Sequence, residues 1–242
     1  MLPDKTDILA KLQSEILHLQ GFKTVNSCCL DNGLGVIKDA FPNGSFPLGC
    51  IHEFLTPQPE CSAATNGFIA GLLAALMANN GTLLWIGTSR KLFPPALKPF
   101  GLLPERFIFI DLQKEKDVLW AIEEALKCRA LSAVVGELSR ISFIESRRLQ
   151  LASEQSNVTG FILQGSSRLA DTTASVSRWK VTPLISEPID GLPGIGYPRW
   201  RVELLRVRNG KPTRWDIQWM NGKFVPTPNT TFSFNEQERK AG

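Results

Sequence analysis

Gly49-Cys50-Ile51-His52-Glu53-Phe54-Leu55-Thr56-Pro57-Gln58-Pro59-Glu60-Cys61-Ser62-Ala63-Ala64-Thr65-Asn66-Gly67 is the stretch whose reading decides the fold. It opens as an apolar strand, turns through two prolines and enters a small-residue apolar run, Phe68 to Met77, with the texture of a buried helix. Strand, loop and helix in that order are the setting of a phosphate-binding loop. There, glycines let backbone amides close on phosphates and a lysine supplies charge. The setting is present and its chemistry is missing. With Thr65 at the loop's hydroxyl position and the helix starting there, the lysine position holds Ala64 and the two glycine positions hold Ala63 and Gln58. Glu60 adds a negative charge where phosphate would sit. The stretch reads as a structural elbow rather than as an active site.

Working outward, strands alternate with helices. Gly81 stops the apolar helix, and Thr82–Gly87 reads as a fully buried strand. The segment Leu92–Phe100 contains Pro94, Pro95 and Pro99 and allows at most a short helix. Next come a strand over Arg106–Asp111 and a helix over Asp117–Arg129, with Val118, Ala121, Ile122, Ala125 and Leu126 inward. A strand over Ser132–Gly136, a helix over Ile144–Glu154 and a strand over Gly160–Gln164 follow. This alternation predicts a parallel, three-layer α/β sheet.

From Arg178 onward the texture changes. Arg178–Val181, Trp200–Val207 and Arg214–Trp219 alternate polar and apolar residues, and Asn209-Gly210 marks a hairpin turn. All three read as antiparallel strands that extend the sheet. Ahead of the core, Ile8, Leu12, Ile16 and Leu19 recur at helical spacing, with Thr6 or Asp7 as N-cap. That stripe is buried either on the chain's own core or on another protein chain. Residues 21–48, rich in Gly, Asn and Pro, read as a connector with room for one short strand. The expected organisation is a helix and connector over 1–45, a core over 46–226 and a polar tail over 227–242.

Composition narrows the function classes. At 242 residues, 43% hydrophobic and 21% charged, the chain suits one α/β domain. No apolar run reaches the roughly 18–20 residues that span a bilayer, and the start of the chain shows no signal-peptide pattern. The cysteines (Cys28, Cys29, Cys50, Cys61 and Cys128) are odd in number and lack CxxC spacing. With only His18 and His52 beside them, they read as thiols of a reducing cytoplasm, not as zinc ligands. His52, alone in an apolar strand, reads as a hydrogen-bonded structural residue. The net charge of +4 is concentrated between Arg178 and Arg214, where eight basic residues face three acidic ones. Those bases are either solvated strand faces or a surface for nucleic acid or an acidic partner.

Several motifs then fall in order. The lead-in Phe46-Pro47-Leu48-Gly49-Cys50-Ile51-His52-Glu53 comes first, followed by the strand Ala133-Val134-Val135-Gly136-Glu137. Phe161-Ile162-Leu163-Gln164 comes next, and the hairpin Trp200–Pro212 last. Together they resemble the RecA core and, more closely, the ImuA family of RecA-like accessory proteins of inducible mutagenic repair. The resemblance covers roughly residues 45–220. It implies a RecA-like three-layer core with a mainly parallel sheet, antiparallel C-terminal strands and a preceding N-terminal helix.

The resemblance also exposes departures. An active ATPase of this type needs the loop glycines and lysine, which here are Gln58, Ala63 and Ala64. It needs a carboxylate after the next core strand, where this chain has Gly87-Thr88-Ser89-Arg90, and a metal-holding aspartate where Gly136 stands. Glu137 is either a displaced substitute or a structural residue. Gln164 matches the family's sensing glutamine and reads as a relic that bonds locally.

The resemblance therefore implies an adaptor without catalytic residues, cofactor or metal, and it leaves direct DNA contact open. The implied partners are an ImuB-type, polymerase-like protein and RecA, with self-association through RecA-type faces. The candidate partner surfaces are Ile8, Leu12, Ile16 and Leu19 at one end, and Arg199, Arg201, Arg206, Arg208, Lys211 and Arg214 at the other. Alternatives are a SulA-like cell-division inhibitor and a nucleotide-dependent recombinase with an unusual loop.

Overall fold

The computed structural model describes residues 33–76, 81–88, 92–165, 172–186 and 196–227. The strands are β1 (Ile51–Leu55), β2 (Thr82–Gly87), β3 (Phe107–Asp111), β4 (Leu131–Leu138) and β5 (Thr159–Gln164), then β6 (Ser177–Leu184), β7 (Arg199–Val207), β8 (Thr213–Met220) and β9 (Lys223–Pro226). The α-helices are α1 (Pro59–Leu76), α2 (Glu115–Lys127) and α3 (Phe143–Ser156). One sheet contains all nine strands, in the order β3-β2-β4-β5-β1-β6-β7-β8-β9. Pairing is parallel from β3 through β6 and antiparallel from β6 to β9.

Two cores lie on the two faces of that sheet. On one face α1 buries Phe68, Ile69, Leu72 and Leu73 against Phe54, Phe161, Trp179 and Trp200. On the other, α2 and α3 bury Val118, Ile122, Leu126 and Leu149 against Ile51, Ile86, Val134 and Ile162. Strands buried on both sides need apolar residues at every position, which is why β2 reads as an unbroken run. The helix α2 instead shows a one-sided stripe, with Val118, Ile122, Ala125 and Leu126 inward as its spacing predicts. Ser142 caps α3 in a reciprocal capping box with Glu145, and Asn157 ends it at φ 65°.

The structure corrects two local expectations and adds detail in two further places. The helix α1 begins at Pro59, almost two turns before Thr65, because proline at the first helical position needs no N–H partner and Glu60 favours the positive helix start. The strand β6 is parallel to β1, not antiparallel; only its other neighbour, β7, runs against it. Residues 33–48 hold two 3-10 helices, Gly35–Ala40 and Pro42–Gly44, and no strand. They place Leu34, Ile37, Ala40 and Phe41 in the α1-side core. The strand β9, unforeseen, returns through Asn221 and Gly222, both at positive φ. The stripe Ile8, Leu12, Ile16 and Leu19 lies outside the described residues. Among these residues no helix is long and apolar enough to cross a membrane.

Candidate functional site

In an open parallel sheet the ligand crevice lies outside the carboxyl ends of the strands. Here that position holds Thr56, Ser62, Glu115, Glu137, Ser139 and Gly165. Only Thr56, Pro57 and Gln58 separate β1 from α1, so Glu60, Ala63, Ala64 and Thr65 are helical rather than loop residues. The Ser62 N–H already donates to the Gln58 carbonyl at 3.1 Å. Amides engaged in a helix cannot wrap around a phosphate. Thr65 is buried, and its hydroxyl has no hydrogen-bond partner.

Four polar side chains of the crevice are tied to the protein. Glu137 accepts a 2.8 Å hydrogen bond from Trp85 Nε1. Glu115 holds Ser139 Oγ at 2.5 Å and 2.6 Å, which keeps the β4–α3 connection a short turn. Thr56 Oγ1 donates to the Gln164 carbonyl at 2.8 Å. At Gly136 a Cβ would meet Ile122 Cδ1 at 2.2 Å, so a side chain there would require Ile122 to move.

Below the crevice lies a charged cluster that no local pattern in the chain announces. Glu53 is 2% exposed and faces Arg178 across the β1–β6 register. Glu53 Oε2 accepts from Arg178 Nε at 2.9 Å, from Thr173 Oγ1 at 2.6 Å and from Ser175 Oγ at 3.0 Å, while the Gln164 amide donates to Glu53 Oε1. A buried carboxylate is tolerated only when its lone pairs are matched in this way. Gln164 thus bonds within the protein, and Glu53 holds both Gln164 and Thr173, the two sides of the excursion after β5. His52, one residue earlier, points to the opposite face. Its Nδ1 is 2.6 Å from Ser177 Oγ and its Nε2 2.8 Å from the Pro47 carbonyl. Burial lowers its pKa to about 4, against a smaller upward pull from that carbonyl.

The hairpin bases separate into held and exposed groups. Arg206 donates to the Thr173 carbonyl at 2.8 Å and the Ser175 carbonyl at 3.0 Å, and burial lowers its pKa. Arg201 and Asp216 form a two-pronged pair with both contacts at 2.8 Å, which holds the Asp216 carboxyl below the usual range. Arg208 donates to the Ala174 carbonyl at 3.2 Å and lies 3.9 Å from Glu154. Arg199 reaches the Ile185 carbonyl at 3.5 Å. Arg214 is half-buried on β8, and Lys211 is exposed at the turn. The structure therefore brings these six onto one hairpin but fixes Arg206 into the loop beneath it.

Beside the crevice, on the α1 face, is an apolar groove of about 700 Å³ between the first half of α1, the 3-10 helix Pro94–Phe100, the end of β6 and the start of β7. It is built from segments far apart in the chain, and its Ala63 and Ala64, expected from the sequence at loop positions, are helical.

Strand order, a parallel core, an antiparallel extension and helices on both faces define a RecA-like α/β protein. At its strand-end crevice three residues join β1 to α1. No protein-family model matches the chain. It is 34% identical over 204 residues to Protein ImuA from two strains of Caulobacter vibrioides, covering 79% of this chain and 84% of that protein. The chain belongs to the ImuA family. A shorter similarity, 29% over 111 residues, links 44% of the chain to 63% of the Cell division inhibitor SulA of Photorhabdus laumondii.

Proposed function

We propose that the chain is a non-catalytic RecA-like adaptor of damage-induced, error-prone translesion DNA synthesis. It acts by binding an ImuB-type, polymerase-like protein, RecA, or both. Membership of the ImuA family supports a role in the mutagenic response to DNA damage. The observation that carries the non-catalytic part is the start of α1 at Pro59, which leaves three residues where a phosphate loop would be. Glu137 and Gln164, the two side chains best placed to act on a nucleotide, bond instead to Trp85 and Glu53.

In this reading recruitment replaces chemistry, and the faces that work are the N-terminal stripe and the exposed part of the β7–β8 hairpin. Co-purification with an ImuB-type protein is expected, and Leu12→Asp with Ile16→Asp abolishes it. An unchanged complex excludes the stripe. Titration calorimetry with ATP and magnesium tests the other half. Binding tighter than about 10 μM, roughly −7 kcal/mol, overturns the non-catalytic reading.

A further inference from the structure

The groove beside α1 has the volume of a ligand site, and its wall is apolar. Ala63 and Gly67 form its floor, and Phe93, Leu97, Phe100 and Trp200 its sides. Phe93 is 69% exposed, a large aromatic left in water. Asn66 also lines the groove. It is 6% exposed, and its Oδ1 has no hydrogen-bond partner. A buried carbonyl oxygen without a donor is costly, so a fitting occupant brings an N–H or O–H together with apolar bulk.

We propose that the groove is occupied by the C-terminal segment of the same chain, Thr230-Thr231-Phe232-Ser233-Phe234, which lies outside the described residues. The chain leaves β9 close by. Thr227 is anchored to the Asp216 carbonyl through N–H at 3.0 Å and Oγ1 at 3.1 Å. Asp216 pairs in register with Arg201, the neighbour of Trp200. From β9 to β7 is two strand spacings, about 10 Å. Five residues beyond Thr227 span up to ~17 Å and seven up to ~24 Å, so Phe232 and Phe234 both reach the groove.

Phe232 and Phe234 are the only large apolar side chains after Thr227. Two residues apart, they share one side of an extended segment. An extended segment also offers free backbone N–H groups to Asn66 Oδ1. A helix, as the spacing predicts for the Ile8–Leu19 stripe, would have satisfied its own and would offer none from its middle.

Hydrogen exchange on three forms tests this: the full chain, a chain ending at Thr227, and the Phe232→Ala, Phe234→Ala double variant. Residues 92–100 and 60–67 are expected to exchange about tenfold more slowly in the full chain than in the other two, since protection follows the closed fraction. A photoreactive phenylalanine analogue at position 234 should cross-link within one chain to a peptide from either segment. Ala63→Arg, on an exposed turn of α1, should abolish that cross-link without unfolding the protein. Equal exchange in all three forms overturns the proposal. So does a cross-link that joins two chains, or one made to the N-terminal stripe.

Discussion

Where β1, β6 and β7 meet, the two faces of the sheet solve opposite problems. On one face Glu53 and Arg178 are buried charges and Arg206 is half-buried, and each contacts a named partner. On the other, Phe54 and Trp179, each one residue further along its strand, join Trp200 from the start of β7 in an aromatic layer under α1. The period of two that puts charge on one side and rings on the other also fixes register, because a one-residue slip would exchange them. The charged face is closed, with its valences turned inward onto the loop Thr173–Ser175. The aromatic face is incomplete at its upper end, where the groove runs and the buried Asn66 Oδ1 lacks a hydrogen-bond partner. The RecA-like frame thus matches its buried Glu53–Arg178 pair from within, and its apolar groove lies beside the crevice rather than in it.

The largest effect is expected from breaking the closed face. Glu53→Ala leaves Arg178 buried without its carboxylate and should destabilise the fold by about 3–5 kcal/mol. Arg178→Ala should cost a similar amount. The double variant should cost clearly less than their sum, a coupling that urea unfolding of the four proteins would measure. Additive losses would mean that the cluster is a set of independent contacts and that the contrast between the faces is overstated.

Next in size is a pH effect from His52. Its folded pKa of about 4 lies below the ordinary 6.5, so the folded chain keeps the ring neutral where the unfolded chain takes up a proton. Stability contributed by neutral His52 is therefore complete above about pH 6.5 and lost as pH falls toward 4, by about 3 kcal/mol in all. His52→Gln should flatten this part of the stability–pH curve while carboxylate effects remain in both proteins. Parallel curves for the two proteins would show that the histidine is not held neutral.

A smaller change has the opposite sign. Thr65 carries a buried hydroxyl without a partner, a vestige if the helix start is structural and a working group if phosphate or metal visits it. Thr65→Val should raise stability by about 1 kcal/mol, since a methyl costs nothing to desolvate. A loss instead would show that the hydroxyl is engaged in solution.

Much of this frame was legible from local pattern. The strands β2 and β3, the inward residues of α2 and the Asn209-Gly210 turn follow from periodicity and turn chemistry, which act over a few residues. The orientation of β6 was not legible, because its alternation fits either direction and only the crossover after β5 decides it. The start of α1 had a signal in Pro59-Glu60, but the phosphate-loop template drew attention to Thr65 instead. For the site, the missing loop residues were visible. The Glu53–Arg178 pair was not, since its members are 125 residues apart and each alone looks like an ordinary strand charge. Arg206 appeared to be a surface base for the same reason; its partners come from a different segment.

The smallest stability effect belongs to the outer hairpin. Lys211 is exposed at the β7–β8 turn, and a side chain in water contributes little to folding, so Lys211→Glu should change stability by less than about 0.5 kcal/mol. Partner binding should respond differently. If the exposed bases of the hairpin meet an acidic surface, reversing one charge weakens capture of that partner and makes it less sensitive to salt. Arg206→Ala should give the converse pattern, losing stability by freeing the Thr173 and Ser175 carbonyls while a refolded sample keeps its partner affinity. Measured side by side, the two variants separate a base that holds the fold from one that faces outward, a distinction that net charge cannot make.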